Sequence, residues 1–126
     1  MDSGMHNSEN IDINSSERFD EILTVLSNTQ RRQILYQLRN QGATSRTKMA
    51  RRLAAWKYEI SPEEVPDKVM KAFEIELYHN HLPKLKEAHL IEYDKTSKQI
   101  LVDDLSTFVE MCIDCYFSID LPSYEN

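Results

Sequence analysis

Three groups of residues in this chain have types and spacings that chemistry could use. Cys112 and Cys115 form a Cys-x-x-Cys, and on a helix residues at i and i+3 share roughly one face. That spacing allows a redox pair or half of a metal site. Both cysteines lie in a strongly apolar stretch without flanking Lys, Arg or Gly, and free Cys is among the most buried residue types. Core or interface packing is the expected role. His79 and His81 stand two apart, about 200° around a helix, so they cannot chelate one ion together. Zinc sites need three or four convergent ligands, so no metal is expected. His81 reads as a partly buried packing residue and His79 as a surface one. The third group is electrostatic. Residues 30–58 hold eight basic residues and no acidic one. Residues 1–29 hold one basic and six acidic, residues 59–98 six and nine, and residues 99–126 none and six. A basic block inside a chain of net charge −6 is a footprint suited to a polyanion. A solvated helix face balanced by acidic neighbours is the competing reading.

Catalysis has little support. The two glycines, Gly4 and Gly42, are too few for a phosphate-cradling loop, and there is no Gly-x-Ser-x-Gly or His-Glu-x-x-His. The carboxylates are scattered over polar positions. The chain is therefore expected to be no enzyme, to have no catalytic residue and to need no cofactor.

The elements that must position these residues follow from composition and periodicity. A length of 126 residues fits one domain. Two Gly and four Pro are too little punctuation for a sheet-rich fold, which favours helices. No apolar run approaches the length of a membrane span, and Asp2 with no apolar run after it argues against a secretory signal. Two cysteines make no disulfide scaffold, so a cytoplasmic protein with reduced thiols is expected.

Residues 1–16, rich in Ser, Asn and Asp, read as a disordered tail. Phe19, Ile22, Leu23 and Leu26 predict a first helix over 17–27. Ser27 or Asn28 caps a second over 29–40, which ends at Gly42. Thr44 or Ser45 caps a third over 46–57, with Met49, Leu53 and Trp56 inward and Ala50 and Ala54 small enough for close approach. Ser61-Pro62-Glu63-Glu64 is a helix start signal. The pattern beyond it runs to about 88 and is not uniform. Val65, Val69, Ala72 and Phe73 share one face, and Ile75, Tyr78, Leu82 and Leu85 share another that is assigned to the core. Pro83 kinks the segment, so a short helix bent against a longer one is expected. Leu90–Tyr93 and Gln99–Val102 are β-prone runs joined by the five-residue tip Asp94–Lys98, a hairpin. Asp103 or Asp104 then caps a last helix over 105–118, with residues 121–126 as a tail. Its wide apolar arc is assigned to dimerisation, with cover for the domain's own core as the alternative, and Trp56 and Phe73 are assigned to the core.

Three helices followed by a hairpin is the order of a winged helix-turn-helix, so the fold class is mainly α with a small β-hairpin and an additional C-terminal helix. The run Ala43–Ala54 resembles the first helix of the motif in ArsR-like regulators, and His81–Tyr93 resembles the end of a recognition helix entering a wing. More narrowly, Leu26-Ser27-Asn28 with Arg31-Arg32, then Ala54-Ala55-Trp56, then Leu77-Tyr78-His79-Asn80-His81-Leu82-Pro83-Lys84-Leu85 is similar to a haloarchaeal winged-helix family. That resemblance covers about residues 17–102, taken as the domain, with 103–120 as a C-terminal helix. It implies a transcriptional regulator that binds double-stranded DNA, with two-fold pairing through flanking helices as in ArsR-like proteins. Two departures stand out. The segment before Leu77, basic in that family, reads Lys71-Ala72-Phe73-Glu74-Ile75-Glu76. His89 stands where a Gly usually ends the helix, which implies a strained or differently shaped end.

On this reading Arg46, Lys48, Arg51 and Arg52 contact phosphates. His79, Asn80 and Lys84 read or position on the recognition helix, and Lys95 and Lys98 serve the wing. Leu105, Phe108, Val109, Cys112 and Tyr116 form the homodimer face. The alternative is a protein-interaction module on the same scaffold. Glu74, Glu76 and Glu87 would give it an acidic recognition surface for a basic protein partner.

Overall fold

The structure, a computed structural model, describes residues 16–125. The tail expected over 1–16 lies, except for Ser16, outside the described residues. Helix α1 occupies 16–26, within a residue of expectation. Helix α2 (Thr29–Gln41) is capped by Asn28, whose side chain accepts from the Arg31 backbone N–H at 3.1 Å. It ends at Gly42, where φ is +81° and the Gly42 N–H donates to the Leu38 carbonyl. A residue with a Cβ would be strained there.

Thr44 and Ser45 form a short strand, β1, that periodicity did not predict. Ser45 also caps α3 (Arg46–Tyr58), accepting from the Lys48 N–H at 3.1 Å. The start signal at Ser61 makes only a single 3-10 turn, Pro62–Glu64, closed by a capping box. Pro66 then sets the entry to α4 (Asp67–Glu76), so Val65 stands outside the helix. A π-helical turn, Leu77–His81, links α4 to α5 (Leu82–Glu87).

That turn stands just before Pro83, where the kink was expected. The Leu82 N–H reaches back to the Leu77 carbonyl, five residues away, and the backbone stays helical through both ends of the turn. Pro83 lacks an N–H, and its ring would clash with the carbonyl four residues before it. Widening the preceding turn by one residue relieves that clash. The extra residue also resets the helical phase. Met70, Leu77, His81, Leu82 and Leu85 are buried, whereas Ile75 is 59% exposed and Tyr78 37% exposed. The core assignment of Ile75 and Tyr78 is thereby corrected, and Ala72 is exposed as well.

Helix α5 ends in a paired-bond C-terminal motif. The Leu90 N–H donates to Leu85 and the His89 N–H to Lys86, with His89 at φ +60°. The end therefore keeps the left-handed geometry that glycine normally supplies, with a histidine in its place. Helix α3 closes the same way on Glu59, at φ +57°. Strands β2 (Ile91–Asp94) and β3 (Gln99–Val102) form the hairpin. Asp94 pairs with Gln99, so the connection is the four residues 95–98 rather than five. With β1 the sheet is antiparallel in the order β1-β3-β2.

Helix α6 runs Thr107–Glu125, later at its start than expected and continuing through the segment read as a tail. Its cap is Ser106, whose hydroxyl accepts from the Val109 N–H at 3.3 Å, rather than Asp103 or Asp104. The whole is a winged helix-turn-helix. Helix α3 and the α4–α5 unit form the motif, β2–β3 the wing, and α1 and α6 flank it. The core joins Ile34, Leu35 and Leu38 of α2 to Met49 and Leu53 of α3, to the inner face of α4–α5, and to Ile91 and Ile100 of the sheet.

Candidate nucleic-acid interface

Most of the basic block is consumed by the fold. Arg31 is buried, with Nε donating to the Val25 carbonyl at 2.7 Å. Arg32 grips Asp120 with both Nε (2.8 Å) and Nη2 (3.2 Å). Arg39 donates to Asp114 at 2.9 Å. Arg51 reaches the Val65 carbonyl at 3.1 Å and pairs with Asp67 at 3.6 Å, tying α3 to the start of α4. Arg52 is half-buried beside Gln37 and Trp56 in a cleft between α2, α3 and the 3-10 turn. Arg32, Arg39 and Arg51 are thus paired with carboxylates within the fold, and of the α3 candidates Lys48 alone is exposed.

Arg46 joins three elements. Its Nε donates to Glu74 at 3.0 Å and its Nη1 to the Tyr93 hydroxyl at 2.7 Å, while the guanidinium carbon lies 4.9 Å from the Tyr78 ring centre. Burial alone would lower the Arg46 pKa, but the bonds to Glu74 and Tyr93 outweigh it and raise it. Thr47 donates to the same Glu74 oxygen at 3.1 Å. Glu74 is therefore turned inward and neutralised, which removes one carboxylate from the expected acidic surface. Glu76 and Glu87 remain exposed.

The outer face of the α4–α5 unit meets the wing at Tyr78. The Lys95 ammonium lies 5.7 Å from the Tyr78 ring centre, and the His79 ring packs edge-on at 4.8 Å. Arg46, Lys71, Glu74, Ile75, Tyr78, His79 and Lys98 line one shallow concavity of about 330 Å³. Lys98 is fixed there by its own φ of +63° and by its N–H, which donates to the Asp94 carbonyl at 2.7 Å. A cation and the face of an aromatic ring attract each other, so the Lys95–Tyr78 contact holds the wing tip against the helix.

The structure brings Arg46, His79, Lys95 and Lys98 of the expected residues together here. Asn80 is half-buried and donates to Glu76 at 3.2 Å. Lys84 is exposed further along the helix. Lys71, Ile75 and Tyr78 were not foreseen. Their signal was the recurrence 71, 75, 78–79, a helical face offset from the one carrying Val69, Phe73 and Leu77. His81 is buried with Nδ1 unpaired, and burial, then the charge of Arg31, pushes its pKa below the usual 6.5.

On the flanking helices, Val109 is 3% exposed and packs with Ile113 into the domain's own core. Leu105, Cys112 and Tyr116 are half-buried, and Cys115 is exposed. The outward apolar residues are Phe108, Met111 (60% exposed) and Ile119 (74%), continued by Phe19 of α1. Among the described residues no His, Cys, Asp or Glu cluster of metal-site size occurs, and no helix is long and apolar enough to cross a membrane.

A family model described as a domain of unknown function, DUF7344, matches residues 23–101. No curated protein and no solved structure matches the chain.

Proposed function

The chain belongs to the DUF7344 family through residues 23–101, and from its winged-helix surface we propose that it is a DNA-binding transcriptional regulator acting as a homodimer. The observation that carries this reading is the meeting of Lys71, His79, Lys95 and Lys98 around Tyr78, on the two elements a winged helix turns toward a duplex. Lysines there neutralise phosphates while the helix enters the groove. The protein-interaction reading is favoured by the exposure of Glu76 and Glu87, though Glu74 no longer supports it.

Pairing is supported by the apolar face of Phe19, Phe108, Met111 and Ile119. Large apolar residues grouped on flanking helices suit a two-fold contact. Such a pair would present two recognition helices to half-sites about one helical turn apart.

Titration of a labelled mixed-sequence duplex across about 50 to 200 mM salt tests the reading. Binding through several phosphates gives an affinity that falls linearly on log–log axes, by about 0.9 per phosphate contacted. Absence of binding at the lowest salt, with a basic protein captured instead, would replace it with the interaction module.

A further inference from the structure

We infer that Ile75 reads the C5-methyl group of thymine in the major groove, so that the preferred duplex is one presenting thymines to the recognition helix. The inference rests on the DNA-binding reading and adds what the surface selects. Ile75 is 59% exposed, on a helix whose Leu77, Leu82 and Leu85 are fully buried. A single exposed apolar residue is ordinary. This one differs in its company, because it shares its concavity with Lys71, His79 and Lys98. An apolar side chain set among Lys71, Glu74 and Lys98 is poorly placed to join a hydrophobic protein interface. It is well placed to meet an apolar group displayed between rows of phosphates.

The thymine methyl is the apolar group that the major groove offers. The side chains that read other bases bidentately are engaged elsewhere. Arginine reads guanine through both ends of its fork, but Arg46 donates Nε to Glu74 and Nη1 to Tyr93. Asparagine reads adenine through its amide, but Asn80 donates that amide to Glu76. Lys71 and Lys98 carry point charges without bidentate geometry and suit phosphates. Beside the polar groups of His79 and Glu76, Ile75 offers this face an apolar contact, the chemistry that singles out the thymine methyl.

The test compares alternating dA-dT duplex with alternating dA-dU duplex, which keeps pairing and removes only the methyls. Both are titrated with the full chain, wild type and Ile75→Ala. Truncation at this exposed position removes no core contact, and an unchanged melting curve checks that. The expected result is wild-type binding about fourfold weaker to the dU duplex for each methyl contacted, with Ile75→Ala binding both duplexes alike. Equal wild-type affinity for the two duplexes overturns the inference and leaves DNA binding standing. A thymine preference that persists in Ile75→Ala also overturns it, since the methyl would then act through duplex shape. Failure to bind either duplex at low salt overturns the inference and the regulator reading together.

Discussion

His89 shows how one residue can keep a geometry that its type disfavours. It holds φ at +60° because the Leu90 and His89 N–H groups close onto Leu85 and Lys86, and because Leu85 and Leu90 are both fully buried. A side chain in the left-handed region costs about 1–2 kcal/mol, of which the looser unfolded chain of a glycine variant would return about 0.4–1 kcal/mol. His89→Gly is therefore expected to stabilise the domain by roughly 0.5–1 kcal/mol in urea denaturation. A loss of stability would mean that the imidazole has a role beyond closing the helix.

His81 predicts a pH dependence. Its pKa lies below the usual 6.5, first through burial. Above that value the folded and unfolded chains both hold it neutral, and stability is independent of this group. As pH falls through 6.5 the unfolded chain takes up a proton that the folded chain refuses, so stability declines until the folded pKa is passed. Asp120 adds a second loss at lower pH. The Arg32 hydrogen bond holds its carboxyl below the usual 3.8, and the Tyr36 bond adds to that. Its contribution is present above 3.8 and disappears as pH falls through the depressed value. Urea midpoints from pH 7 to 3 should show both declines, and His81→Leu should remove only the first.

At the scale of elements, α6 is held to α2 by an exposed pair, Arg39 with Asp114, and by a more buried polar lock. Asp120 accepts from Arg32 twice and from the Tyr36 hydroxyl at 2.7 Å, while Arg32 also lies over the Tyr116 ring. The Arg32 side chain is only 11% exposed. Asp120→Ala would leave a largely buried guanidinium without its anion, at a cost of about 2–4 kcal/mol. The expected result is an earlier unfolding midpoint with α6 exchanging its amides ahead of the core. A variant as stable as wild type would show that α6 is held by the apolar packing of Val109 and Ile113 without need of the Asp120 lock.

Local signals at this scale were legible where one residue decides the outcome. Asn28, Ser45 and Gly42 stand where their side-chain or backbone chemistry puts them, and the order of helices and hairpin was readable from periodicity. The outer face of the recognition helix was not. Ile75 and Tyr78 recur at helical spacing with Leu82 and Leu85, so a constant 3.6-residue period groups all four. The π turn before Pro83 breaks that period, and periodicity has no means of foreseeing an added residue. The carboxylate partners of Arg46 and Arg51 were hidden for another reason. A charge block reveals its own sign but not the carboxylates, such as Glu74 and Asp67, that the fold brings to it. Strand β1, at two residues, is too short to show alternation.

For the molecule as a whole, an acidic chain carries its basic block mostly as internal mortar. Asp114 and Asp120 of α6, with Glu74 and Asp67 of α4, take up arginines of α2 and α3. What remains for a polyanion is the smaller set at the wing and recognition helix. The apolar face on α1 and α6 sets the expected assembly. Met111→Glu with Ile119→Glu places charges on two strongly exposed apolar residues of α6, so the double variant should sediment as a monomer where wild type sediments as a dimer. Wild type sedimenting as a monomer at micromolar concentration would remove the pairing.

The central claim is that the concavity around Tyr78 is where duplex DNA binds. The most direct measurement is duplex affinity across a salt series for wild type, Lys71→Glu, Lys95→Glu and Lys57→Glu. Lys57 is an exposed control on α3, eleven residues from Arg46 and so about 16 Å along the helix. The account predicts weaker binding for Lys71→Glu and Lys95→Glu, with a salt slope shallower by about 1 for each phosphate contact removed, and near-wild-type behaviour for Lys57→Glu. Equal losses at all three lysines, or a loss at Lys57 alone, would contradict it and place the duplex elsewhere on the protein.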